Sequence, residues 1–170
     1  YRGQDLALFF KGEKSKIQLS HSLYSEVIMC LHAGTVYNCP LFDNSNPRFI
    51  FHVVSCLKLQ LAVPEEKIVE KGDEAEMMYF IARGEVVCVD ETETILAVIK
   101  AGEYFGEVAL ALGGQRMHTI VAQTYVELQT FSRRDWEDAV KDFPVETAKI
   151  IKIAMEHKSR GGLNLEQEFE

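Results

Sequence analysis

The chain has 170 residues, 47% of them hydrophobic, which is enough to bury one apolar core. Its 26 acidic residues outnumber its 18 basic residues and give a formal net charge of -8, which argues against the basic surface that a nucleic-acid polymer requires. No apolar run is long enough to cross a bilayer, so we expect a soluble segment. The start at Tyr1, without a methionine or a signal peptide, indicates a piece of a longer protein whose other parts can include membrane spans.

Neither the cysteines nor the histidines have the spacing of a metal site. The four cysteines form no Cys-x-x-Cys pair, and the five histidines are not grouped at the short spacings that zinc ligands need. Three of the cysteines have apolar neighbours, which predicts buried, reduced thiols in a cytosolic domain without a metal or a cofactor. The four cysteines are Cys30, Cys39, Cys56 and Cys88.

The first third of the chain, over residues 5–54, has the apolar spacing of helices. Ser22 is a candidate N-cap, and Gly34 is predicted to end the helix that follows it. A second helix is predicted to begin at Asn46-Pro47, because a cap residue followed by proline at the first helical position favours a helix start. Its buried face is predicted to consist of Phe49, Ile50, Val53 and Val54.

From Leu57 the apolar period changes to two, which is typical of strands. Over residues 57–63, apolar side chains alternate with Lys58, Gln60 and Ala62 and predict a half-buried strand with the apolar face inward. That face consists of Leu57, Leu59, Leu61 and Val63. Further short strands are predicted over residues 67–70, 78–82, 85–90, 95–100, 119–122 and 126–131. Turn residues separate them, so we expect a β-barrel or jelly roll.

Helical patterning returns over residues 135–140 and 145–158. Gly161-Gly162 is predicted to end the last helix, and the acidic residues 166–170 are predicted to be frayed. The order of helices, a small β-roll and further helices predicts an α+β fold.

One segment of the predicted roll combines groups that favour an anion. A short helix is predicted to start near Gly106, and a helix N-terminus that follows glycine exposes amide N–H groups to an approaching anion. Arg116 lies at the start of an apolar strand, where an unpaired guanidinium is very costly and a phosphate would be a partner. Glu107 fits beside a phosphate if its carboxylate accepts from a ribose hydroxyl. The alternative is that these three residues form a turn and an internal salt bridge that hold the roll together.

The string Phe105-Gly106-Glu107-Val108-Ala109-Leu110, followed by Arg116-Met117-His118-Thr119, resembles the phosphate-binding cassette of cyclic-nucleotide-binding domains. The usual cassette reads Phe-Gly-Glu-[Ile/Leu/Val]-Ala-Leu, then a variable loop and Arg-x-Ala-[Ser/Thr]. The resemblance continues upstream at 71–73, 78–81 and 83–86, and residues 135–144 resemble the hinge helix and the start of the lid helix. It implies a β-roll (jelly roll) with C-terminal hinge and lid helices that binds cAMP or cGMP.

The residues before the roll resemble one branch of that family. Residues 22–27 and 39–42 are similar to the second half of the C-linker in cyclic-nucleotide-gated and hyperpolarisation-activated (HCN) channels, and residues 1–20 to the preceding linker helices. This resemblance implies partial C-linker helices at 1–42, a binding domain at 43–160 and a flexible acidic tail at 161–170. A catabolite-activator-type regulator would need a helix-turn-helix after residue 162. A kinase regulatory subunit would need a second cassette or a basic inhibitory segment, and the chain has neither.

The resemblance also implies a role for each pocket residue. Glu107 would accept from the ribose 2′-hydroxyl, Arg116 would hold the phosphate, and His157 would lie over the base as part of the lid. The full set of implied ligand-binding residues is Gly106, Glu107, Val108, Ala109, Arg116, Met117, Val89, Ala97, Ile99 and His157. Val89, Ala97 and Ile99 are apolar residues on predicted strands. The resemblance implies that they line the purine, and ordinary core packing would explain them equally well.

Three positions depart from the family pattern. Met117 replaces a threonine whose hydroxyl can donate to a phosphate, and His118 replaces a small alanine. Gly161 is expected to end the lid helix early, because glycine costs about 1 kcal/mol in a helix relative to alanine. A shorter lid gives a ligand less structure to order.

Two hypotheses about function therefore stay open. In the first, the domain binds cAMP or cGMP and relays lid closure to a channel gate. In the second, it is a structural, tetramerising channel module whose pocket binds the nucleotide weakly or without effect. The intact cassette favours the first hypothesis. Catalysis is disfavoured, because nucleotide hydrolysis would need grouped metal ligands or a placed base.

The expected partners are a cyclic nucleotide and the pore domain of the same channel chain, in a homotetramer. The expected location is the cytoplasmic side of the plasma membrane. The sequence leaves open which nucleotide is preferred and whether the fragment alone is monomeric.

Overall fold

The computed structural model describes Glu26, Cys30, His32 and residues 34–37 and 39–162. The predicted N-cap Ser22 lies outside the described residues. Residues 34–37 are helical, so the prediction that Gly34 ends the helix is wrong. The reason is that Val36 is fully buried, and burying such a side chain outweighs the roughly 1 kcal/mol that a helical glycine costs.

A short 3-10 helix and the first complete α-helix follow this segment. The 3-10 helix Pro40–Phe42 buries Leu41 and Phe42. Helix α1 (Pro47–Cys56) begins where the sequence predicts, since the side chain of Asn46 accepts a hydrogen bond of 2.9 Å from the backbone N–H of Arg48. The predicted buried face of α1 is confirmed at all four positions, Phe49, Ile50, Val53 and Val54.

The middle of the chain forms a roll of two antiparallel sheets. One sheet has the strand order β1-β8-β3-β6 and the other has the order β2-β7-β4-β5. The strands are β1 (Lys58–Ala62), β2 (Lys67–Val69), β3 (Met77–Arg83), β4 (Glu85–Val89), β5 (Ile95–Lys100), β6 (Tyr104–Phe105), β7 (Thr119–Ala122) and β8 (Val126–Ser132). With the helices before and after it, this roll confirms the predicted α+β fold class.

The predicted apolar face of residues 57–63 is buried only at Leu57, which is 8% exposed and precedes β1. Within β1 itself the buried residue lies on the opposite face from the predicted one. Leu59, Leu61 and Val63 are 38%, 65% and 53% exposed, whereas Ala62 is 2% exposed. Ala62 pairs with Val126 of β8, which is also buried, so the inward face of β1 carries the smaller side chain. Because side chains alternate strictly along a strand, this pairing turns every leucine of β1 outward.

Three helices complete the described chain. Helix α2 (Glu107–Leu112) follows β6, helix α3 (Arg133–Asp142) follows β8, and helix α4 (Pro144–Ser159) packs against both α2 and α3. Ser132 caps α3 by accepting a hydrogen bond of 3.2 Å from the backbone N–H of Asp135. No helix in the described ranges has the length and apolarity that a bilayer-spanning segment needs.

Strand β3 separates two apolar clusters. Phe80 packs with the helices in a cluster that includes Trp136 of α3 and Ile150 of α4. Its neighbour Ile81 packs inside the roll with Leu128 of β8. Successive residues of a strand point to opposite faces, so β3 contributes to both clusters. Helix α2 lies on the helical side, between the roll and α4.

The cysteines are all free thiols, but only two of them are buried. Cys39 and Cys88 are buried, Cys56 is half-buried and Cys30 is exposed. Burial raises the pKa of Cys39 to about 12 and that of Cys88 to about 11. Both thiols therefore stay protonated at neutral pH and act as small apolar core groups.

The inverted face of β1 leads to a matched pair of stability measurements. Leu61→Gln is expected to change the free energy of unfolding by no more than about 0.5 kcal/mol, because the side chain is solvent-exposed. Ala62→Gln is expected to destabilise by at least about 2 kcal/mol, because it places a larger, polar side chain in an apolar interior. Equilibrium urea denaturation measures both. A larger loss for Leu61→Gln than for Ala62→Gln would contradict the observed face.

Candidate ligand-binding site

The turn between β6 and α2 is built around Gly106. This residue is the N-cap of α2 and has a φ of 87°, in the left-handed region that favours glycine. A Cβ atom there would lie 2.5 Å from Nη1 of Arg116 and 3.3 Å from the carbonyl oxygen of Met77. Both the backbone conformation and the available space therefore require glycine at this position.

The guanidinium of Arg116 lies against that turn and is only 7% exposed. It donates to the carbonyl oxygen of Met77 over 2.5 Å and to that of Gly106 over 3.3 Å. Its Cζ atom also lies 5.7 Å from the centroid of the Tyr79 ring, at a distance suited to a cation–π contact. Arg116 therefore lies beside the predicted phosphate site. Its N–H groups donate to neutral carbonyl oxygens of the protein.

The charge of Arg116 lies away from the carboxylates of the described residues. No carboxylate of the described residues lies within 4.0 Å of its guanidinium. Burial lowers its pKa, and the more distant carboxylates of Glu107 and Asp73 raise it less. Arginine stays protonated even so. The turn therefore presents a buried positive charge that two carbonyl oxygens solvate.

Glu107, the first residue of α2, pairs with the lid helix. Its Oε1 lies 2.8 Å from Nδ1 of His157 on α4, and the two side chains are 5% and 9% exposed. The carboxylate accepts and the imidazole Nδ1–H donates. The His157 ring also lies near the Tyr104 ring, with centroids 6.5 Å apart. The sequence predicts both residues for the pocket but does not predict that they bind each other.

The end of α4 turns back over the residues that follow Arg116. The backbone N–H of Gly162 donates to the carbonyl of His157 over 2.8 Å, which ends the helix as the sequence predicts. A Cβ atom on Gly162 would lie 2.6 Å from Sδ of Met117 and 3.6 Å from Cε1 of His118. Two of the three positions that depart from the family pattern, Met117 and His118, therefore lie beside the end of the lid. Burial, and then the charge of Lys71, lower the pKa of His118.

The remaining predicted residues fall into two groups. Val108 and Ala109 are buried in α2, directly after Glu107. On the strands, Ala97 lies opposite Cys88 and Ile99 opposite Val86, and both pack against the apolar cluster that contains Phe105. Val89 pairs with Ile95 across a bulge and is half-buried. Ala97 and Ile99 are thus brought near the cassette through packing.

Sequence reasoning missed Arg133, the first residue of α3. Its Nε donates to the carbonyl of Ala75 over 2.9 Å, and Nη2 donates to the same oxygen. Nη2 also donates to the carbonyl of Ala109 over 3.2 Å, and Nη1 to that of Leu110 over 3.5 Å. Arg133 therefore binds the carbonyl end of α2. A cation is unfavourable in the first turn of a helix because it opposes the helix dipole. The position of Arg133 at the start of α3 is therefore a sequence signal that its guanidinium binds acceptors outside that helix.

Comparison with known proteins agrees with this geometry. Residues 61–143 match a family model described as the cyclic nucleotide-binding domain. The potassium/sodium hyperpolarization-activated cyclic nucleotide-gated channel 4 of Homo sapiens is 29% identical over 155 residues, which cover 90% of this chain and 13% of that channel. Channel 3 of the same series from Mus musculus is 30% identical over 155 residues, covering 90% of this chain and 20% of the channel.

A second type of channel gives a similar match. A cyclic nucleotide-gated cation channel protein of Drosophila melanogaster is 28% identical over 164 residues, which cover 92% of this chain and 25% of that protein. The chain spans at most a quarter of the length of these relatives, all of which are channels rather than enzymes. The chain therefore contains a domain of the cyclic nucleotide-binding family and is related, over most of its length, to hyperpolarization-activated and cyclic nucleotide-gated ion channels.

Proposed function

We propose that this domain binds cAMP or cGMP between the roll and helix α4 and passes the position of α4 to the gate of a channel. The observation that carries the proposal is that one cassette supplies three predicted groups beside the lid helix. The Arg116 guanidinium contacts the Gly106 turn, and α4 packs on α2 through His157 and the Glu107 carboxylate. A ribose phosphate needs this combination of cation, acceptor and close backbone approach.

The charge of Arg116 supports a phosphate as the ligand. Its present acceptors are the neutral carbonyls of Met77 and Gly106. The ionised guanidinium already strengthens these hydrogen bonds, and a phosphate oxygen would add the direct attraction of an opposite charge in a buried site. A phosphate oxygen would therefore be a better acceptor for the same donors than either carbonyl, and it would neutralise the buried charge.

The apolar residues and the lid support a nucleotide rather than a free phosphate. Ala97 and Ile99 pack near Phe105, the first residue of the cassette, and together with Val89 they would contact the purine. Helix α4 covers the cassette and would close over the bound ligand, as a lid does. The proposed roles of these residues follow from the cassette resemblance and from this placement.

The wider context that we propose is a channel. Residues 1–42 would belong to a linker between this domain and a pore domain of the same chain, and residues 43–160 to the binding domain. The channel would be a homotetramer with this domain on the cytoplasmic side of the plasma membrane. The channel relatives support this context, and a bound nucleotide would act on the gate only through different affinities for the two positions of α4.

A second function, that of a structural and tetramerising module, is favoured by one observation. The polar groups of the pocket are already satisfied by the protein, since Glu107 binds His157 and Arg116 binds two carbonyls. A ligand must replace these contacts, so its binding free energy is only the difference between the contacts that it makes and those that it displaces. If that difference is small, the pocket binds nucleotide too weakly to control a gate.

Calorimetric titration with cAMP and with cGMP separates the two functions. The sensor function requires saturable binding of at least one nucleotide at or below millimolar concentration. If neither nucleotide binds at that concentration, by calorimetry and by a displacement assay with a fluorescent analogue, the sensor function is rejected. The structural function would then stand alone.

Arg116→Ala tests the phosphate contact. We expect it to weaken binding by about 1.5–3 kcal/mol, the range for a hydrogen bond to a charged group, or about 10- to 150-fold in Kd. Arg134→Ala is the matched control, because Arg134 is an exposed arginine of α3 outside the site. It should leave Kd unchanged. Equal affinities of the Arg116→Ala variant and the native chain would contradict the assigned role.

Met117→Thr tests the departure next to Arg116. The threonine hydroxyl can donate to a phosphate oxygen, which the thioether of Met117 cannot do. We therefore expect tighter binding than in the native chain. Met117→Val, which has a similar shape without the hydroxyl, separates that donor from the change in side-chain volume. Affinity that is unchanged or weaker in the threonine variant would show that Met117 does not limit binding.

Arg133→Met tests whether Arg133 positions α2. Its donors are shared among carbonyls of Ala75, Ala109 and Leu110, and leaving buried acceptors unpaired costs about 1–3 kcal/mol. We expect a loss of that size in the free energy of unfolding by urea denaturation. The neighbouring Arg134→Met should change it by no more than about 0.5 kcal/mol. Equal effects of the two substitutions would contradict the role of Arg133.

A further inference from the structure

A buried pair of Glu107 and His157 joins two helices of the domain. These residues are 50 positions apart in the chain and belong to α2 and α4. Their side chains are 5% and 9% exposed, and Nδ1 lies 2.8 Å from Oε1. A buried carboxylate without a donor is very costly, so this contact contributes to holding α4 against α2.

The same carboxylate is the one that our proposed function assigns to the ribose. With α4 in its present position, almost none of the Glu107 side chain is open to an entering ligand. In the present structure the donor to Glu107 is an imidazole Nδ1–H, and in the proposed complex it would be a ribose O–H. Both groups donate to a carboxylate oxygen. A nucleotide that reaches Glu107 in the proposed manner must therefore displace His157.

We infer that His157 is an internal competitor of the ribose, which holds the lid closed over the empty site and lowers the affinity for cyclic nucleotide. This inference rests on the proposed function and adds a regulatory role for a residue of the lid. It reverses the role that the resemblance implies for His157, since a residue placed over the base would strengthen binding.

The end of the lid supports the closed position of α4 by a second contact. The Gly161-Gly162 turn brings the backbone of residue 162 against Met117 and His118, next to Arg116. The lid thus binds Glu107 and also lies beside Met117, which stays 37% exposed. When only a fraction of the molecules is open, the apparent Kd rises by the inverse of that fraction. Weakening the Glu107–His157 contact should therefore tighten binding.

The test compares two substitutions of His157 in the 170-residue chain, with cAMP and cGMP as the probes. His157→Phe keeps an aromatic ring beside Tyr104 but removes the donor, so we expect Kd to fall by about tenfold or more, the change that loss of one hydrogen bond to a charged group produces. His157→Asn places an amide N–H donor near the position of Nδ1 and should keep Kd close to the native value. Circular dichroism checks that each variant is folded, and His157→Ala replaces the phenylalanine variant if it is not.

A double-mutant cycle shows whether the effect passes through Glu107. In the background of Glu107→Ala, His157→Phe has no carboxylate to release and should leave Kd unchanged. A tenfold gain that persists in this background would overturn the inference, because His157 would then act by bulk alone. An unchanged or weaker affinity of His157→Phe in the native background would also overturn it and would favour a contact with the base.

Failure of the inference can be told apart from failure of the proposed function. If the native chain binds nucleotide and His157→Phe does not bind it more tightly, the inference alone fails. If neither the native chain nor the phenylalanine variant binds at millimolar nucleotide, both fail. Binding by the phenylalanine variant alone would support the inference, with His157 as the group that keeps the native pocket closed, and would reject the sensor function of the native chain.

Discussion

The buried guanidinium of Arg116 connects three segments of the roll that are far apart in the sequence. Its side chain donates to Met77 at the start of β3 and to Gly106 before α2. Its own backbone is held as well, since its N–H donates to the carbonyl of Asp73 over 2.8 Å and its carbonyl accepts from Gly72 over 2.9 Å. Burying this charge is tolerable only because its donors are satisfied. The shape of the Gly106 turn therefore depends on the hydrogen bonds that Arg116 makes.

Helix α2 transmits that constraint because it cannot stand alone. A helix of six residues is far too short to be stable without tertiary contacts. Arg116 contacts its N-terminal turn and Arg133 its terminal carbonyls, while α4 covers its side through Glu107 and His157. The two arginines also repel each other slightly, since the charge of Arg133 lowers the pKa of Arg116. A phosphate beside Arg116 would relieve that repulsion and would act directly on the element against which the lid packs.

Features that depend on neighbouring residues could be predicted from the sequence, and features that depend on distant residues could not. The start of α1 could be predicted because the cap at Asn46 and the proline after it act within one turn. The buried face of β1 could not, because its partner Val126 lies more than 60 residues away and Ala62 is a weak apolar signal. The cassette residues Gly106 to Ala109 could be predicted from a contiguous string, whereas the contact of His157 with Glu107 depends on how α4 crosses α2. No spacing in the sequence encodes that crossing.

The energy of the Glu107–His157 contact bears on response as well as affinity. A hydrogen bond to a charged group contributes about 1.5–3 kcal/mol, and allosteric coupling free energies are typically about 1–3 kcal/mol. A ligand shifts an equilibrium only by the difference between its affinities for the two states. A ribose that merely replaced His157 on the carboxylate would gain little at that atom. Any net shift in the position of α4 would then have to come from the phosphate at Arg116 and from contacts with the base, so the internal pair sets how much of the binding energy is left to move the lid.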